Sequence, residues 1–240
     1  MHLTAEEADK EALLPLLRTL GERYPAGGKG EVRFRLVEDI RREGFRSASR
    51  VNYVARVGNF RTGGFRYTGA LRIAQTMLSY GYLWNEIRSK GGAYGCSVRF
   101  GRGGSVVFSS YRDPKLEATD KVYEGTPAYL EQYEADEREM TKAIIGAIGE
   151  MDTPRSAQMS GQLALAAYYS KVTDEMLSAE RREVLTATPA DIRALAPLVR
   201  EALRYEAKCV IGNESAIERA EDFFTEIPQL FAKESEETEA

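Results

Sequence analysis

The hydrophobic positions of this chain recur with two different periods, and the changes between them set out the fold. Residues 4 to 21 carry Leu13, Leu14, Leu17 and Leu20 at helical spacing, behind a potential cap at Thr4 and first-turn acids at Glu6 and Glu7. Pro15 falls inside that run and predicts a kink. YPAGGKG, residues 24 to 30, breaks the chain. EVRFRLV then alternates, with Val32, Phe34 and Leu36 on one side and Arg33 and Arg35 on the other, as a half-buried strand does. SRVNYVARVG, 49 to 58, is a stronger strand of the same type.

NFRTGGFRYTG reads as a loop and ALRIAQTMLSYGYLWNEIRSK as a helix, with Leu71, Ala74, Met77 and Leu78 on one side and Gly81 dividing it into two pieces. GGAYG ends the second piece. AYGCSVRFG and GSVVFSSYR are two strands joined by a GRGG turn. After Arg112 the pattern is helical. Asp113 is read as an N-cap with Pro114 at the first helical position, and Gly125 and Pro127 predict a kink near Thr126. Met140, Ala143, Ile144, Ala147 and Ile148 line the next helix, followed by helices at 154–170, 173–186 and 189–204, the last capped by Thr188. CVIG, 209 to 212, is a final strand, with a polar helix at 214–225.

This order predicts an α+β fold in two layers, a mainly antiparallel sheet with helices packed on one face. Residues 31–228 form one domain, 1–30 a helical extension, and 229–240 an acidic tail expected to be disordered. No apolar run is long enough to span a bilayer, and the N-terminus has neither the basic flank of a secretory signal nor the arginines of a transit peptide.

Composition narrows the chemistry. Among 240 residues there is one histidine, His2, and two cysteines, Cys96 and Cys209, both expected as free buried thiols. A zinc site and a histidine general base are therefore not expected in this chain. Arg33 to Arg72 holds ten arginines against Glu38, Asp39 and Glu43, a local charge of +7 (10 − 3) within a chain of −4. Aromatic residues interleave with those arginines, as on a nucleic-acid surface. The overall acidity favours instead a solvated sheet face or an interface, and no nucleic-acid partner is expected. Glu134, Asp136, Glu137, Glu180 and Glu183 read as solvated helix faces.

RSKGGAYGCSV, 88 to 98, leaves two readings open on its residues alone. The glycines follow a helix and precede a strand, the reverse of a phosphate loop. They either cap the helix or bring backbone N–H groups and the Tyr94 hydroxyl close to a ligand.

YLWNEIRSKGGAYG resembles the C-terminal half of the pitrilysin/insulinase-type zinc metallopeptidases, above all their presequence-protease branch. VNYVARVGN, SYRDP and KVTDEMLSAERREVLTATPADI resemble the same branch in the same order, so the resemblance runs from about Phe45 to Val210. It implies a metallopeptidase-like α/β roll, one of four similar units forming two halves of a clamshell. It implies that the N-terminal half carries a His-x-x-Glu-His zinc helix and that Arg88 and Tyr94 are the catalytic pair on the substrate carbonyl. Gly91, Gly92 and Ala93 are then expected to let substrate pass close by, and Tyr111 and Arg112, with Ser109 at the end of the hairpin strand that follows, to line the same substrate-binding surface. This chain has no such zinc motif. The expectation is the C-terminal unit of a peptidase for unstructured peptides, inactive alone, without a cofactor of its own, partnered by a zinc-bearing half and not by a membrane. The alternative is a non-catalytic subunit of the same architecture that binds peptides or partners.

Overall fold

The computed structural model describes residues 2–24, 27, 39–228 and 230. The strand expected at 31–37 and all of the acidic tail except Leu230 lie outside the described residues. In chain order the elements are α1 (Glu7–Arg23), β1 (Arg42–Ser47), β2 (Asn52–Asn59), α2 (Ala70–Met77), β3 (Gly95–Phe100), β4 (Ser105–Asp113), α3 (Glu117–Glu131), α4 (Glu137–Met151), α5 (Ala157–Ser170), α6 (Asp174–Leu185), α7 (Pro189–Arg193), α8 (Ala196–Leu203), β5 (Ala207–Asn213) and α9 (Glu214–Arg219). Contacts group them into two compact units, 1–38 with 151–179, and 39–150 with 180–240.

The smaller unit contains α1 and α5, and neither helix buries a residue. The N-cap of α1 is Glu6, without a side-chain bond, so Thr4 does not cap it. Pro15 is carried inside the helix, and its carbonyl accepts the Thr19 hydroxyl at 3.1 Å. Ser156 caps α5 by accepting from the Met159 N–H at 3.2 Å.

The larger unit is a five-stranded sheet in the order β1-β5-β2-β4-β3, with β1 parallel to β5 and the other pairings antiparallel. Val54, Val98, Phe100, Val106, Phe108 and Val210 are buried on the face against which α2, α3 and α8 pack. From the helices come Leu71, Ile73, Ala74, Tyr123, Leu130, Val199 and Ala202. The opposite face presents Tyr53, Val57 and Tyr111 to solvent. This is the α+β architecture expected from the order of elements.

Several local expectations are corrected. The segment after α2 is not divided at Gly81. It continues as wider π turns through Leu78–Tyr82 and Trp84–Ser89, held to the core by Leu78, Leu83 and Ile87. Asp113 does not cap α3, which begins at Glu117 behind Leu116. Asp113 is buried instead, and accepts from the Lys115 N–H at 2.9 Å, the Ser110 hydroxyl at 2.6 Å and the Thr119 hydroxyl at 2.8 Å. Helix α3 runs through Gly125 and Pro127 as one element. Thr188 is the expected cap and makes a capping box with Asp191, but the helix it starts ends at Arg193 and α8 begins separately.

Two charged residues read as solvated are in the core. Arg56 is 3% exposed, and its guanidinium donates to Asp120 at 3.0 Å, to Glu124 at 2.8 Å and to the Leu203 carbonyl at 2.9 Å. Lys208 joins Asp120 at 2.7 Å from the neighbouring strand. Glu180 is 6% exposed and collects Arg72, Arg102 and the Tyr67 hydroxyl. Alternation along a strand assigns sides, whereas a desolvated cation is kept there by partners remote in sequence. Arg41, Arg42, Arg46, Arg56 and Arg72 all pair with carboxylates, so the arginine-rich segment is not a bare cationic surface.

Candidate functional site

The site forms where the π-turn segment ends. In the common glycine-capped helix end, the two residues after the helix bond back over three and five residues. Here Gly92 bonds back four residues to Arg88 at 2.9 Å, and Ala93 bonds back six to Ile87 at 3.1 Å. Each bond spans one residue more, as widened turns require. The two central glycines have different reasons. Gly91 lies against the chain, where a Cβ would sit 2.1 Å from the Ile87 carbonyl oxygen. Gly92 has φ 87°, the left-handed region that L side chains avoid. Of the three residues expected to line the substrate path here, Gly91 and Ala93 are buried and Gly92 is exposed.

This cap delivers Tyr94 to the head of β3, where its N–H donates to the Arg112 carbonyl at 3.3 Å. The Arg88 guanidinium turns back and donates through Nη1 to the Tyr94 carbonyl at 2.6 Å. It also lies over the Trp84 ring, with the guanidinium carbon 4.1 Å from the centroid. Tyr94 has two cations at its ring, whose centroid is 5.5 Å from the guanidinium carbon of Arg88 and 5.5 Å from that of Arg112. Tyr111 meets Tyr94 edge-on at 5.5 Å. Arg112 has φ 49° and is followed by the buried Asp113, whose carbonyl accepts from Asn52 at 3.0 Å. Ser109 is half-buried one sheet position away, 3.1 Å from the Ser97 hydroxyl.

Tyr94 is 56% exposed and Tyr111 44%, and the Tyr94 hydroxyl has no hydrogen-bond partner among the described residues. Neither Arg88 nor Arg112 pairs with a carboxylate among them; the adjacent Glu86 is taken by Lys90 at 2.6 Å. Cys96 is close by, half-buried rather than fully buried, with its thiol pushed up to about 11 by burial and by Asp113, against the opposing charge of Arg88. It stays protonated at neutral pH and is no nucleophile. No group of three or more His, Cys, Asp or Glu among the described residues could hold a metal ion. What the cluster offers is two permanent cations and a free phenol, donors for a carbonyl oxygen on which negative charge develops.

Residues 42–214 match the PreP C-terminal domain family. The chain belongs to that family. Protein HypA of Clostridium perfringens is 42% identical over 188 residues, 78% of this chain and 19% of that protein. Presequence protease 1, chloroplastic/mitochondrial, of Arabidopsis thaliana is 34% identical over 161 residues, 67% of this chain and 15% of that protein. This PreP C-terminal domain thus spans less than a fifth of the length of either relative. Among solved structures, a protease from Helicobacter pylori superposes with a TM-score of 0.58 at 15% identity, covering 84% of this chain and 52% of that one. Pitrilysin superposes with a TM-score of 0.52 at 13% identity, covering 85% of this chain and 23% of that one. At those identities the likeness concerns the fold.

The structure brings together Arg88, Tyr94, Tyr111 and Arg112, which the sequence reading grouped, and adds Trp84, which it quoted without a role. Trp84 stands four residues before Arg88 on one helical segment, and that spacing is the signal that could have found it.

Proposed function

We propose that this PreP C-terminal domain is the non-metal-binding unit of a zinc metalloendopeptidase that degrades unstructured peptides. In this reading Arg88 and Tyr94 hold the carbonyl oxygen of the scissile bond. The observation that carries it is the exposed Tyr94, its hydroxyl free of any described partner and its ring 5.5 Å from the guanidinium carbons of both Arg88 and Arg112.

As a nucleophile adds to a peptide carbonyl, charge moves onto oxygen, and donors already aimed at that position lower the barrier. The free N–H groups of Arg88 supply fixed positive charge, and Tyr94 supplies a rigid O–H. Arg112 and Tyr111 both contact the Tyr94 ring. Gly92 gives an extended peptide room to pass. With one histidine and two cysteines, the chain does not fit a zinc ligand set. The metal, which activates water in such enzymes, is assigned to an N-terminal half on the same or another chain. The relatives named as presequence proteases support this reading.

The test is Arg88→Ala in the chain mixed with a zinc-bearing half from the same source, with cleavage of an unstructured peptide as readout. Loss of turnover with assembly intact is expected. Unchanged turnover would leave the cluster as a peptide grip or a structural corner, as in the non-catalytic alternative.

A further inference from the structure

We infer that Trp84 is a positioning residue for Arg88: it fixes the plane of the guanidinium that faces substrate. The inference rests on the function proposed for Arg88 and goes beyond it in naming what holds that side chain.

The segment that carries Trp84 docks on the core through Leu78, Leu83 and Ile87, all fully or almost fully buried. Trp84 is off that face. It is half-buried, one wide turn before Arg88, and its ring lies 4.1 Å from the guanidinium carbon. A tryptophan placed to fill the core would sit with Leu83 and Ile87. Trp84 also lines a groove of about 640 Å³ shared with Tyr80 and Cys96.

Arg88 needs such a support. A long side chain at a helix end loses rotamer freedom on being fixed, and no carboxylate among the described residues fixes this one. One hydrogen bond to the Tyr94 carbonyl places a single nitrogen but leaves the guanidinium able to rotate about that bond. An aromatic ring facing the guanidinium carbon at 4.1 Å restrains that rotation without using any of its N–H donors. The remaining donors stay available for a carbonyl oxygen.

Trp84 is the only tryptophan of the chain, so the contact can be read directly. In the isolated chain, Arg88→Ala should shift or change the intensity of Trp84 fluorescence with the far-ultraviolet circular dichroism unchanged. In the chain mixed with the zinc-bearing half, Trp84→Leu should lower kcat/KM for an unstructured peptide about tenfold. Trp84→Phe should restore most of it. The double variant Trp84→Leu/Arg88→Ala should be no slower than Arg88→Ala, because Trp84 acts only through Arg88. Fluorescence indifferent to Arg88→Ala, or a double variant slower than Arg88→Ala by the full factor of Trp84→Leu, would overturn the inference. Arg88→Ala that lowers turnover beside a silent Trp84→Leu would overturn it alone. Turnover unchanged in Arg88→Ala itself would overturn the proposed function instead, whatever the fluorescence shows.

Discussion

Arg88 donates to the backbone carbonyl of Tyr94 at 2.6 Å, across the five-residue glycine loop between them. The cation and the phenol are thereby set relative to each other by the chain itself, before any ligand arrives. Such preorganisation is what a charge-stabilising pair requires, since donors that must reorient during reaction give back much of their effect.

The first prediction concerns the Tyr94 hydroxyl. Tyr94→Phe, assayed with a zinc-bearing half, should lower turnover roughly 10²-fold, as loss of one donor to a developing oxyanion does. The urea midpoint of the isolated chain should not move, because the ring is exposed and its hydroxyl bonds to no described residue. Full turnover in Tyr94→Phe would return the residue to the structural class.

A second prediction separates the glycines. Gly92→Val forces an L side chain into φ 87°, at a cost of about 1–2 kcal/mol. The nearest obstacle to its Cβ is Pro114 at an ordinary 3.4 Å, so the penalty is one of backbone conformation. Gly91→Ala acts otherwise, by driving its Cβ into the Ile87 carbonyl and opening the cap. Both should lower the urea midpoint, and Gly91→Ala should also alter Trp84 fluorescence by moving Arg88. Wild-type stability in either variant would contradict the geometry of the cap.

Much of this was legible in the sequence. Strand periodicity located β2, β3, β4 and β5, and the GGAYG stretch marked the helix end; the candidate site there came from the family resemblance. Strand β1 was not legible. REGFRS has no regular alternation, and it is ordered by parallel pairing with β5, some 165 residues away in sequence. The burial of Arg56 and Glu180 escaped for the same reason: the partners that make a buried charge tolerable are remote, and local pattern does not contain them. Asp113 was singled out correctly as special but for the wrong task, since a residue before Pro114 resembles a cap whether its carboxylate faces a helix end or three scattered donors. Arg88 and Tyr94 were singled out by the family resemblance, whereas the Trp84 ring on Arg88 is a local contact that spacing on one helical segment could have found.

Glu180 supports a third prediction, in pH. Burial opposes its charge, but hydrogen bonds from Arg72 and Arg102 outweigh that and hold the carboxyl below its ordinary value. A carboxylate with a depressed folded-state pKa stabilises the fold fully above its unfolded-state pKa and loses that contribution as pH falls through the folded value. The stability difference between wild type and Glu180→Gln should be constant near neutral pH and shrink below about pH 4. Urea unfolding at a series of pH values measures it. A difference that grew on acidification would reverse the sign and refute the assignment.

The fourth concerns Asp120, which stands between Arg56 and Lys208 on adjacent strands. Asp120→Ala should cost about 3–5 kcal/mol, because two buried cations lose their shared anion and Arg56 keeps Glu124 as its one carboxylate partner among the described residues, beside the Leu203 carbonyl. A shift in the urea midpoint of that size is expected, and a loss below about 1 kcal/mol would mean that the cluster behaves as a surface pair.

The central claim is that this chain supplies one part of a peptidase and the metal-bearing half supplies the other. The most direct measurement is zinc content and cleavage of an unstructured peptide by the chain alone, by the zinc-bearing half alone, and by the two mixed. The account predicts no zinc and no cleavage for this chain, and cleavage in the mixture that falls on Arg88→Ala. Cleavage by this chain alone, or tight association with no cleavage at all, would contradict it.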